Sequence, residues 1–442
     1  MESSKRTLKD LSFTGSEGQG TILDLIDRSS THLGSSLIRK MVVHTPSSCE
    51  KLLRQQDAIR FWVQYPGYWP EAISNGTVVM LQKFFESADA YAAHPGGLSL
   101  FGGKWLQKLL NRNEFHFTQF SLSHLSDFLK GCTAFVETET KVPGCPPLIR
   151  ETFAHMQQQL EHSLTNSIIH MDKDASFKEI ATLSFRARRE MKSNILHLMD
   201  DFAKLDAWKG LADATRQLKW QFPVISESSQ TFLHARGLFH PLIAQPVAYD
   251  IDFTPGSTFM LLTGANMSGK TTLMRALGVA TLLAKMGMGV PAASFGMTFL
   301  NSVLTNMHVE DDLLKGESFF LAEVKTIRQT IAHITESGPQ LVLMDELFKG
   351  TNVHDAYECT KAIVEGMLRH PEHIMILSTH LHEVAHYFEG QNGVSFYRFT
   401  THLGTDGNFV FDYRLEPGIS DERIGYRILV KEGIIDLLRK RS

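Results

Sequence analysis

The strongest chemical pattern in the sequence is a six-residue loop with a glycine at each end, followed by a lysine and two threonines. It comes directly after the apolar run 259–262 and leads into apolar residues at helical spacing. Two glycines let the backbone curl so that successive N–H groups point inward, and the next helix aims its positive end at the same place. A loop of this kind binds the phosphates of a nucleoside triphosphate. The loop and its continuation comprise Gly264, Ala265, Asn266, Met267, Ser268, Gly269, Lys270, Thr271 and Thr272.

Four side chains near this loop have the chemistry of nucleotide hydrolysis. Lys270 is expected to reach the β- and γ-phosphates, and the Thr271 hydroxyl to hold Mg²⁺. Downstream, the apolar run 341–344 ends in Asp345 and Glu346, as a buried parallel strand does when its carboxyl end opens onto a ligand site. Asp345 would hold Mg²⁺ or its water, and Glu346 would orient and deprotonate the attacking water. The pair therefore predicts hydrolysis by water rather than phosphoryl transfer to a second substrate.

A third polar strand end follows in the sequence. The apolar run 374–377 leads into Ser378, Thr379 and His380. A single histidine at this position can be an ordinary polar strand end. As the third in a series of polar groups at strand ends, His380 is predicted to sense the γ-phosphate.

Taken together, the motifs resemble the ATPase domain of the MutS DNA mismatch-repair proteins. The likeness rests on the phosphate-loop pattern, segment 345–352, residues 378–380, and segment 311–324, which resembles the family's signature. Residues 416–420 and 424–425 resemble the family's C-terminal motif, so the likeness covers at least residues 232–438. The resemblance implies ATP and Mg²⁺ as cofactors and a homodimer with ATP between the two subunits. In that arrangement Ser318 contacts the nucleotide of the partner subunit.

The likeness extends upstream, because residues 10–39 resemble the start of the MutS core domain. Ser29 to Thr31 are predicted to cap a helix within this segment. Since the segment lies close to the start of the sequence, no room is expected for the family's mismatch-reading and connector domains. Residues 135–137 match the Phe-x-Glu wedge of the mismatch readers but lack its domain, so we assign them no recognition role. Direct reading of a mispair by this chain is not expected.

Several residues depart from the family pattern. Phe348 and Lys349 stand where glycine and arginine are typical, and Phe319 stands where threonine is typical. These changes lie beside the catalytic carboxylates and the signature serine, so they bear on hydrolysis timing and subunit coupling rather than on nucleotide binding. The family's adenine-stacking aromatic residue has no clear counterpart, since Val247 falls near its place.

The predicted fold is an α/β P-loop (ABC-like) ATPase domain preceded by an all-helical core and lever domain, divided as 1–222 and 223–442. Residues 148–209 contain neither glycine nor proline and carry apolar residues at helical spacing. They are predicted to form two long helices joined by a reversal at 171–174, resembling the family's lever arms with the DNA clamp absent or reduced. After Pro223, strand-like runs alternate with helices, which is typical of a doubly wound α/β ATPase. The resemblance implies that this part also forms the dimer.

Composition limits the partners. The 442 residues carry a net charge of −4, so any DNA contact must rest on a local basic patch. The densest such run is Arg186, Arg188, Arg189 and Lys192, which is more often a solvated helix face than a phosphate contact. Four cysteines without metal or redox spacing, and the lack of an apolar run that could span a bilayer, predict a cytoplasmic protein without membrane contact.

Three classes of function are consistent with these observations. The first is a MutS-like DNA-binding ATPase, in which ATP binding moves helical arms on mismatched or branched duplex. The second is an ABC-like ATPase that works on a protein partner. The third is a nucleotide-regulated scaffold that binds ATP but barely hydrolyses it, which Phe348 makes conceivable. ATP-dependent retention on DNA separates the first from the second, and steady-state turnover separates both from the third.

Overall fold

A computed structural model of the chain describes residues 4–15, 20–86, 112–142, 144–172, 175–307, 319–336, 338–403, 409–420 and 434. These residues divide into two compact units. The sheet unit comprises Met1–Leu25, Val42–Leu53 and Leu218–Ser442, and the helical unit comprises Ile26–Met41 and Arg54–Gln217. Within the described ranges, no helix has both the length and the apolar character needed to cross a membrane.

The described elements run from a helical first half to an alternating second half. Helices in the first half are α1 (Lys5–Asp10), α2 (Ile22–Ile26), α3 (His32–Val43), α4 (Cys49–Gln64), α5 (Asn75–Glu86), α6 (Arg112–Lys141), α7 (Pro147–Leu160), α8 (Thr165–Ile169), α9 (Phe177–Arg186) and α10 (Lys192–Gln217). Helices in the second half are α11 (Lys270–Lys285), α12 (Phe319–Glu336), α13 (Val353–Met367) and α14 (His382–Tyr387). The strands are β1 (Val224–Ser226), β2 (Leu233–Leu238), β3 (Tyr249–Phe253), β4 (Ser257–Thr263), β5 (Ser294–Thr298), β6 (Ser302–Asn306), β7 (Gln340–Asp345), β8 (Ile374–Thr379), β9 (Gly393–Leu403) and β10 (Phe409–Pro417).

Two sheets form the centre of the sheet unit. The larger has the strand order β10-β9-β4-β8-β7-β6, with every pair parallel except the antiparallel edge pair β10 and β9. The smaller has the order β1-β5-β2-β3. Strands β4, β7 and β8 are buried along almost their whole length, as expected for parallel strands covered on both faces. Their side chains pack against helices α12, α13 and α14 in one hydrophobic core.

The N-terminal segment belongs to the sheet unit because specific contacts attach it to β6 and α11. The Asp10 carboxylate accepts hydrogen bonds from the Thr305 hydroxyl at 2.7 Å and from the Met307 N–H at 3.3 Å. Leu11 packs against Gly278 so closely that a Cβ there would lie 2.5 Å from the leucine side chain. Neither contact could be predicted from the sequence around Asp10 or Leu11.

The helical unit departs from the predicted pair of long helices. The first arm is broken after residue 160, and the short helix α8 follows. No proline or glycine causes the break, but the His162 ring and carbonyl accept hydrogen bonds from the Leu164 and Thr165 N–H groups. Such local bonds compete with the helical ladder. The second arm is continuous, and α9 passes through a π-helical turn at Ala187–Met191 into α10. The 30-residue helix α6 was not predicted.

A buried carboxylate anchors the start of α3 within the helical unit. Asp206 on α10 accepts hydrogen bonds from the Ser30 N–H at 2.7 Å, the Thr31 N–H at 2.9 Å and the Thr31 hydroxyl at 2.7 Å. Burial raises the pKa of Asp206, while these bonds act in the opposite direction. The predicted cap at Ser29 to Thr31 is therefore present, and a distant acidic side chain completes it. Gly34 allows this approach, because a Cβ there would lie 2.4 Å from an Asp206 oxygen.

We expect Asp206→Ala to destabilise the helical unit by about 3 kcal/mol, because three donors lose a charged acceptor and two of them are backbone groups. The measurement is the urea-unfolding midpoint followed by tryptophan fluorescence. Asp200→Ala is the matched control, since Asp200 is exposed on the same helix. Equal effects of the two substitutions would show that the cap contributes nothing specific.

Candidate functional site

The candidate site lies at the carboxyl edge of the large sheet. Strand β4 pairs with β8, and β8 pairs with β7, so the segments that follow these three strands meet at one edge. The loop after β4 carries residues 264–269, the end of β7 carries Asp345 and Glu346, and the end of β8 leads to His380. The predicted groups, which extend from residue 264 to residue 380 of the sequence, are thereby brought together. This edge is where open α/β sheets bind ligands.

The loop after β4 has a backbone that requires its glycines. Gly264 has φ of 139° and Gly269 has φ of 114°, and a Cβ on Gly264 would lie 3.0 Å from the Phe399 carbonyl oxygen. Met267, at the loop tip, has φ of 71° and is 81% exposed. Helix α11 begins at Lys270 without a side-chain cap. Its first N–H groups are therefore available for an anion.

Lys270 is buried and is held by the loop that it follows. Its ammonium donates to the Gly264 carbonyl at 2.7 Å and to the Ala265 carbonyl at 3.0 Å. Its Nζ also lies 3.7 Å from Glu346 Oε1. Burial lowers the pKa of Lys270, and the charges of Glu346 and Asp345 oppose that shift. The residue is thus a cation placed between the loop and the carboxylates.

Asp345 connects the three strand ends. Its Oδ2 accepts a hydrogen bond from the Thr271 hydroxyl at 2.7 Å, and its Oδ1 accepts one from the Ser378 hydroxyl. Ser378 lies opposite Asp345 in the parallel register of β7 and β8. The sequence predicted Thr271 and Asp345 as a pair but gave Ser378 no role of its own. The register could have suggested one, because the two residues end neighbouring strands.

Glu346 lies beside two lysine ammonium groups and a histidine ring. Its carboxylate lies 3.3 Å from the Lys349 Nζ and 3.8 Å from the His380 Nδ1, in addition to Lys270. Its N–H donates to the Ser378 carbonyl at 3.1 Å, and its φ is 53°. A non-glycine residue in the left-handed region is uncommon and often belongs to a functional site. The backbone therefore fixes the direction in which this carboxylate points.

A cavity of about 440 Å³ opens beside the loop. Residues of the loop, Thr271, Thr272 and Glu346 form one side of it. The other side was not predicted, apart from the position of Val247, and it consists of His240, Ile243, Gln245, Pro246, Val247, Tyr249 and Tyr413. Burial raises the pKa of Tyr249 to about 12 and lowers that of His240 to about 4, so both rings are neutral at physiological pH. The volume and mixed lining suit a small organic ligand with an anionic group at the loop.

Two further predicted features are Ser318 and the basic run 186–192. Ser318 and the signature segment up to it fall outside the described residues, so their positions are not part of the geometry above. In the basic run, Arg186 is paired with Glu190 at 2.8 Å, and the Arg188 guanidinium lies 4.3 Å from the centroid of the Phe84 ring. Arg189 similarly lies over Phe185 at 5.3 Å. Most of the basic side chains in this run therefore make contacts inside the helical unit.

Phe135, the first residue of the Phe-x-Glu pattern, packs in the core of the helical unit. It is fully buried on α6 and contacts the rings of Trp69 at 4.8 Å, Phe153 at 6.2 Å and Phe202 at 6.2 Å. A side chain in this position cannot insert between bases without unfolding the unit. The burial of Phe135 supports assigning no recognition role to residues 135–137.

Comparisons with known proteins agree with this geometry. Residues 260–436 match MutS domain V. The DNA mismatch repair protein MutS of Listeria welshimeri is 27% identical over 268 residues, which are 58% of this chain and 31% of that protein. The DNA mismatch repair protein MutS of Acholeplasma laidlawii is 27% identical over 318 residues, or 68% of this chain and 37% of that protein. The DNA mismatch repair protein MutS of Lawsonia intracellularis is 26% identical over 322 residues, which are 69% of this chain and 35% of that protein.

The matched part of the chain spans about a third of the length of these relatives. Residues 260–436 contain the loop after β4, the two carboxylates at the end of β7 and the histidine after β8. The chain is thus similar to MutS proteins over its ATPase-like part.

We expect Gly264→Ala to destabilise the sheet unit by about 1 to 2 kcal/mol, because alanine disfavours this φ and its Cβ would press on the Phe399 carbonyl. Thermal unfolding measures the loss. Gly256→Ala is the control, since a Cβ there has nothing within 4 Å. Similar melting temperatures for the two variants would show that the loop tolerates another backbone conformation.

Proposed function

We propose that this chain is a MutS-type P-loop ATPase of the ABC-like class, which binds ATP with Mg²⁺ beside the loop after β4 and hydrolyses it. The observation that supports this most strongly is the joint placement of Thr271, Asp345 and Glu346 at the start of α11. A phosphate-binding helix terminus, a hydroxyl and carboxylate pair and a separate carboxylate are the three parts that hydrolysis of a nucleoside triphosphate requires.

The loop binds the phosphates through its N–H groups. Residues 264–272 curl around the phosphates, and Lys270 exchanges one or both loop carbonyls for β- and γ-phosphate oxygens. This exchange costs little, because the ammonium stays in a site that already contains oxygen acceptors. The cavity lined by Val247, Tyr249 and Tyr413 accommodates the base and ribose.

The oxygen donors present fit Mg²⁺. Thr271 and Asp345 offer a hydroxyl and a carboxylate 2.7 Å apart, and hard oxygen ligands are the kind that Mg²⁺ prefers. When bound, the ion neutralises phosphate charge that develops during hydrolysis. Ser378 keeps the Asp345 carboxylate oriented toward Thr271.

Glu346 acts as the general base. Its carboxylate lies beside the loop and lines the cavity, so it is placed to accept a proton from a water beside the γ-phosphate. Lys270 and Lys349 lie within 4 Å of the carboxylate and help to orient it. His380, 3.8 Å from Glu346, is placed to respond to the presence of the γ-phosphate.

The family resemblance supports a composite site in a homodimer. In this proposal Ser318 contacts the nucleotide held by the partner subunit, and residues 223–442 form the ATPase and dimerisation domain. Residues 1–222 form the core and lever domain, whose arms respond to ATP while the dimer holds DNA. The alternative, an ABC-like ATPase or a scaffold that acts on a protein partner, is favoured by the internal pairing of Arg186 and Arg188.

We expect Glu346→Gln to retain ATP binding while turnover falls by about 10²- to 10⁴-fold, because the amide keeps the shape but cannot accept the proton. Lys270→Ala is the contrasting variant and should weaken ATP binding itself. Binding is measured with a fluorescent ATP analogue and turnover by phosphate release. Unchanged turnover in Glu346→Gln would refute the assignment of Glu346 as base.

A mixture of Lys270→Ala and Ser318→Ala proteins should recover part of the ATPase activity that each has lost. In a mixed dimer one composite site carries both lesions, and the other is intact. The control is subunit exchange, followed by fluorescence energy transfer between labelled chains. If exchange is demonstrated and every mixing ratio stays inactive, Ser318 does not act across the dimer.

We expect retention of the protein on duplex DNA to depend on ATP and not on the presence of a mispair. Glu346→Gln holds the ATP-bound state, so its binding to homoduplex, G·T-mismatched, branched and single-stranded DNA is compared with and without ATP. We expect ATP to change DNA retention and the G·T duplex to compete within about tenfold of the homoduplex, a difference below about 1.4 kcal/mol. If ATP does not change retention of the protein on any of these DNAs, the result would favour the alternative of a protein partner.

A further inference from the structure

Glu323 is a buried carboxylate outside the catalytic set that holds the segment carrying Glu346. It lies near the start of α12 and is 3% exposed. Its Oε1 accepts a hydrogen bond from the Phe348 N–H at 2.6 Å. Burial raises the pKa of Glu323, and the Phe348 N–H opposes that shift. A carboxyl group in this position costs free energy, so its contact with the catalytic segment needs a physical reason.

The segment after β7 has a strained backbone. Glu346 has φ of 53° and Phe348 has φ of 63°, and neither residue is glycine. Non-glycine residues in the left-handed region are strained and persist only where neighbouring groups impose the conformation. At Glu346 the strain determines where the base points, because side-chain direction follows the backbone.

Two contacts anchor Phe348 to α12. Besides the bond from Glu323, the Phe348 ring is 5% exposed and lies 5.9 Å from the Phe320 ring. Phe320 and Glu323 are three residues apart on the helix and so share one face. Helix α12 therefore holds Phe348 through its N–H and through its ring.

We propose that Glu323 is a positioning residue for hydrolysis, which fixes the left-handed turn at Phe348 and thereby aims Glu346. This inference rests on the proposed role of Glu346 as base. It also explains how phenylalanine is accommodated at position 348, since the Phe320 contact and the Glu323 bond together offset the strain. Movement of the first turns of α12 would misdirect Glu346 without disturbing the loop after β4.

The test separates turnover from binding. Glu323→Ala removes the acceptor and should lower kcat by about 10- to 100-fold, the scale of a misplaced catalytic group, while ATP affinity stays within about twofold. Glu323→Gln retains an acceptor oxygen and should keep kcat within about threefold of the intact protein. Gln329→Ala, exposed on the same helix, is the control and should change neither quantity.

Three results are decisive. Unchanged kcat in Glu323→Ala, with Glu346→Gln inactive, would overturn the positioning role and leave the proposed function intact. Equal losses of kcat and ATP affinity in Glu323→Ala would also overturn it, because they indicate general damage to the site. Full turnover in Glu346→Gln would instead remove the proposed function on which the inference rests.

An independent observation lies at the other end of β8, before its first residue. His370 Nδ1 and His373 Nε2 each lie 3.3 Å from Glu372 Oε1, and the three donor atoms lie within 4.8 Å of one another. His373 is 0% exposed. In the described part of the chain, neither of its ring nitrogens has a partner at good hydrogen-bond geometry. The Ile334 backbone and the Glu372 carboxylate are the polar groups that face this buried imidazole, and Glu372 is shared with His370.

The donor set matches a transition-metal ion. Donors bound at about 2.0–2.1 Å in a tetrahedral complex lie about 3.3 Å apart, which is the spacing between Glu372 and each histidine. The turn is also held in place, because the Thr231 hydroxyl donates to the Glu372 carbonyl at 2.8 Å.

We infer that His370, Glu372 and His373 bind a divalent ion of the zinc type through two imidazoles and one carboxylate, with a fourth position open. The test uses chelator-treated, tag-free protein titrated with Co²⁺ and followed by visible absorption, then by Zn²⁺ displacement. One Co²⁺ per chain should bind with a tetrahedral spectrum, and His370→Ala and Glu372→Gln should each weaken binding by about tenfold or more.

His354→Ala is the control for this metal site, since His354 is an exposed histidine on α13. It should leave Co²⁺ binding unchanged. No bound Co²⁺, or binding that His370→Ala and Glu372→Gln do not weaken relative to His354→Ala, would overturn the site.

Discussion

The arrangement of the site depends on one carboxylate, Asp345, which accepts hydroxyl groups from two other strand ends. Thr271 reaches it from the start of α11, and Ser378 reaches it from β8. Both contacts require β4, β8 and β7 to be parallel neighbours in their observed register. A shift of one residue would turn the side chain of Asp345 to the other face of the sheet. The packed core beneath the strands therefore determines whether Thr271 and Asp345 meet as a hydroxyl and carboxylate pair.

The second constraint is conformational. Gly264 and Gly269 shape the loop that exposes N–H groups, whereas Glu346 and Phe348 adopt left-handed conformations without being glycine. Strain at Glu346 and Phe348 is stabilised by a hydrogen bond to the Ser378 carbonyl and by the contacts with α12. The shape of the loop is thus a property of local sequence, while the direction of the Glu346 carboxylate is a property of tertiary packing.

This difference explains which features the sequence predicted. The loop, Asp345, Glu346 and His380 were recognisable because each follows an apolar strand at a fixed position. Ser378 as a partner of Asp345, Glu323 as a partner of Phe348 and the Tyr249 and Tyr413 side of the cavity depend on pairings between distant segments. The same holds for Asp206, which caps a helix about 175 residues away. The broken arm after residue 160 was missed because its cause is side-chain hydrogen bonding rather than proline or glycine.

The central claim is that Asp345 and Thr271 hold Mg²⁺ against a nucleotide bound at the loop after β4. The most direct test is the affinity for a fluorescent ATP analogue with and without Mg²⁺, measured for the intact protein and for Asp345→Asn. Mg²⁺ should tighten binding to the intact protein by about tenfold or more, equivalent to about 1.4 kcal/mol, and should have little effect on Asp345→Asn. An equal effect of Mg²⁺ on both proteins, or none on the intact one, would contradict the account.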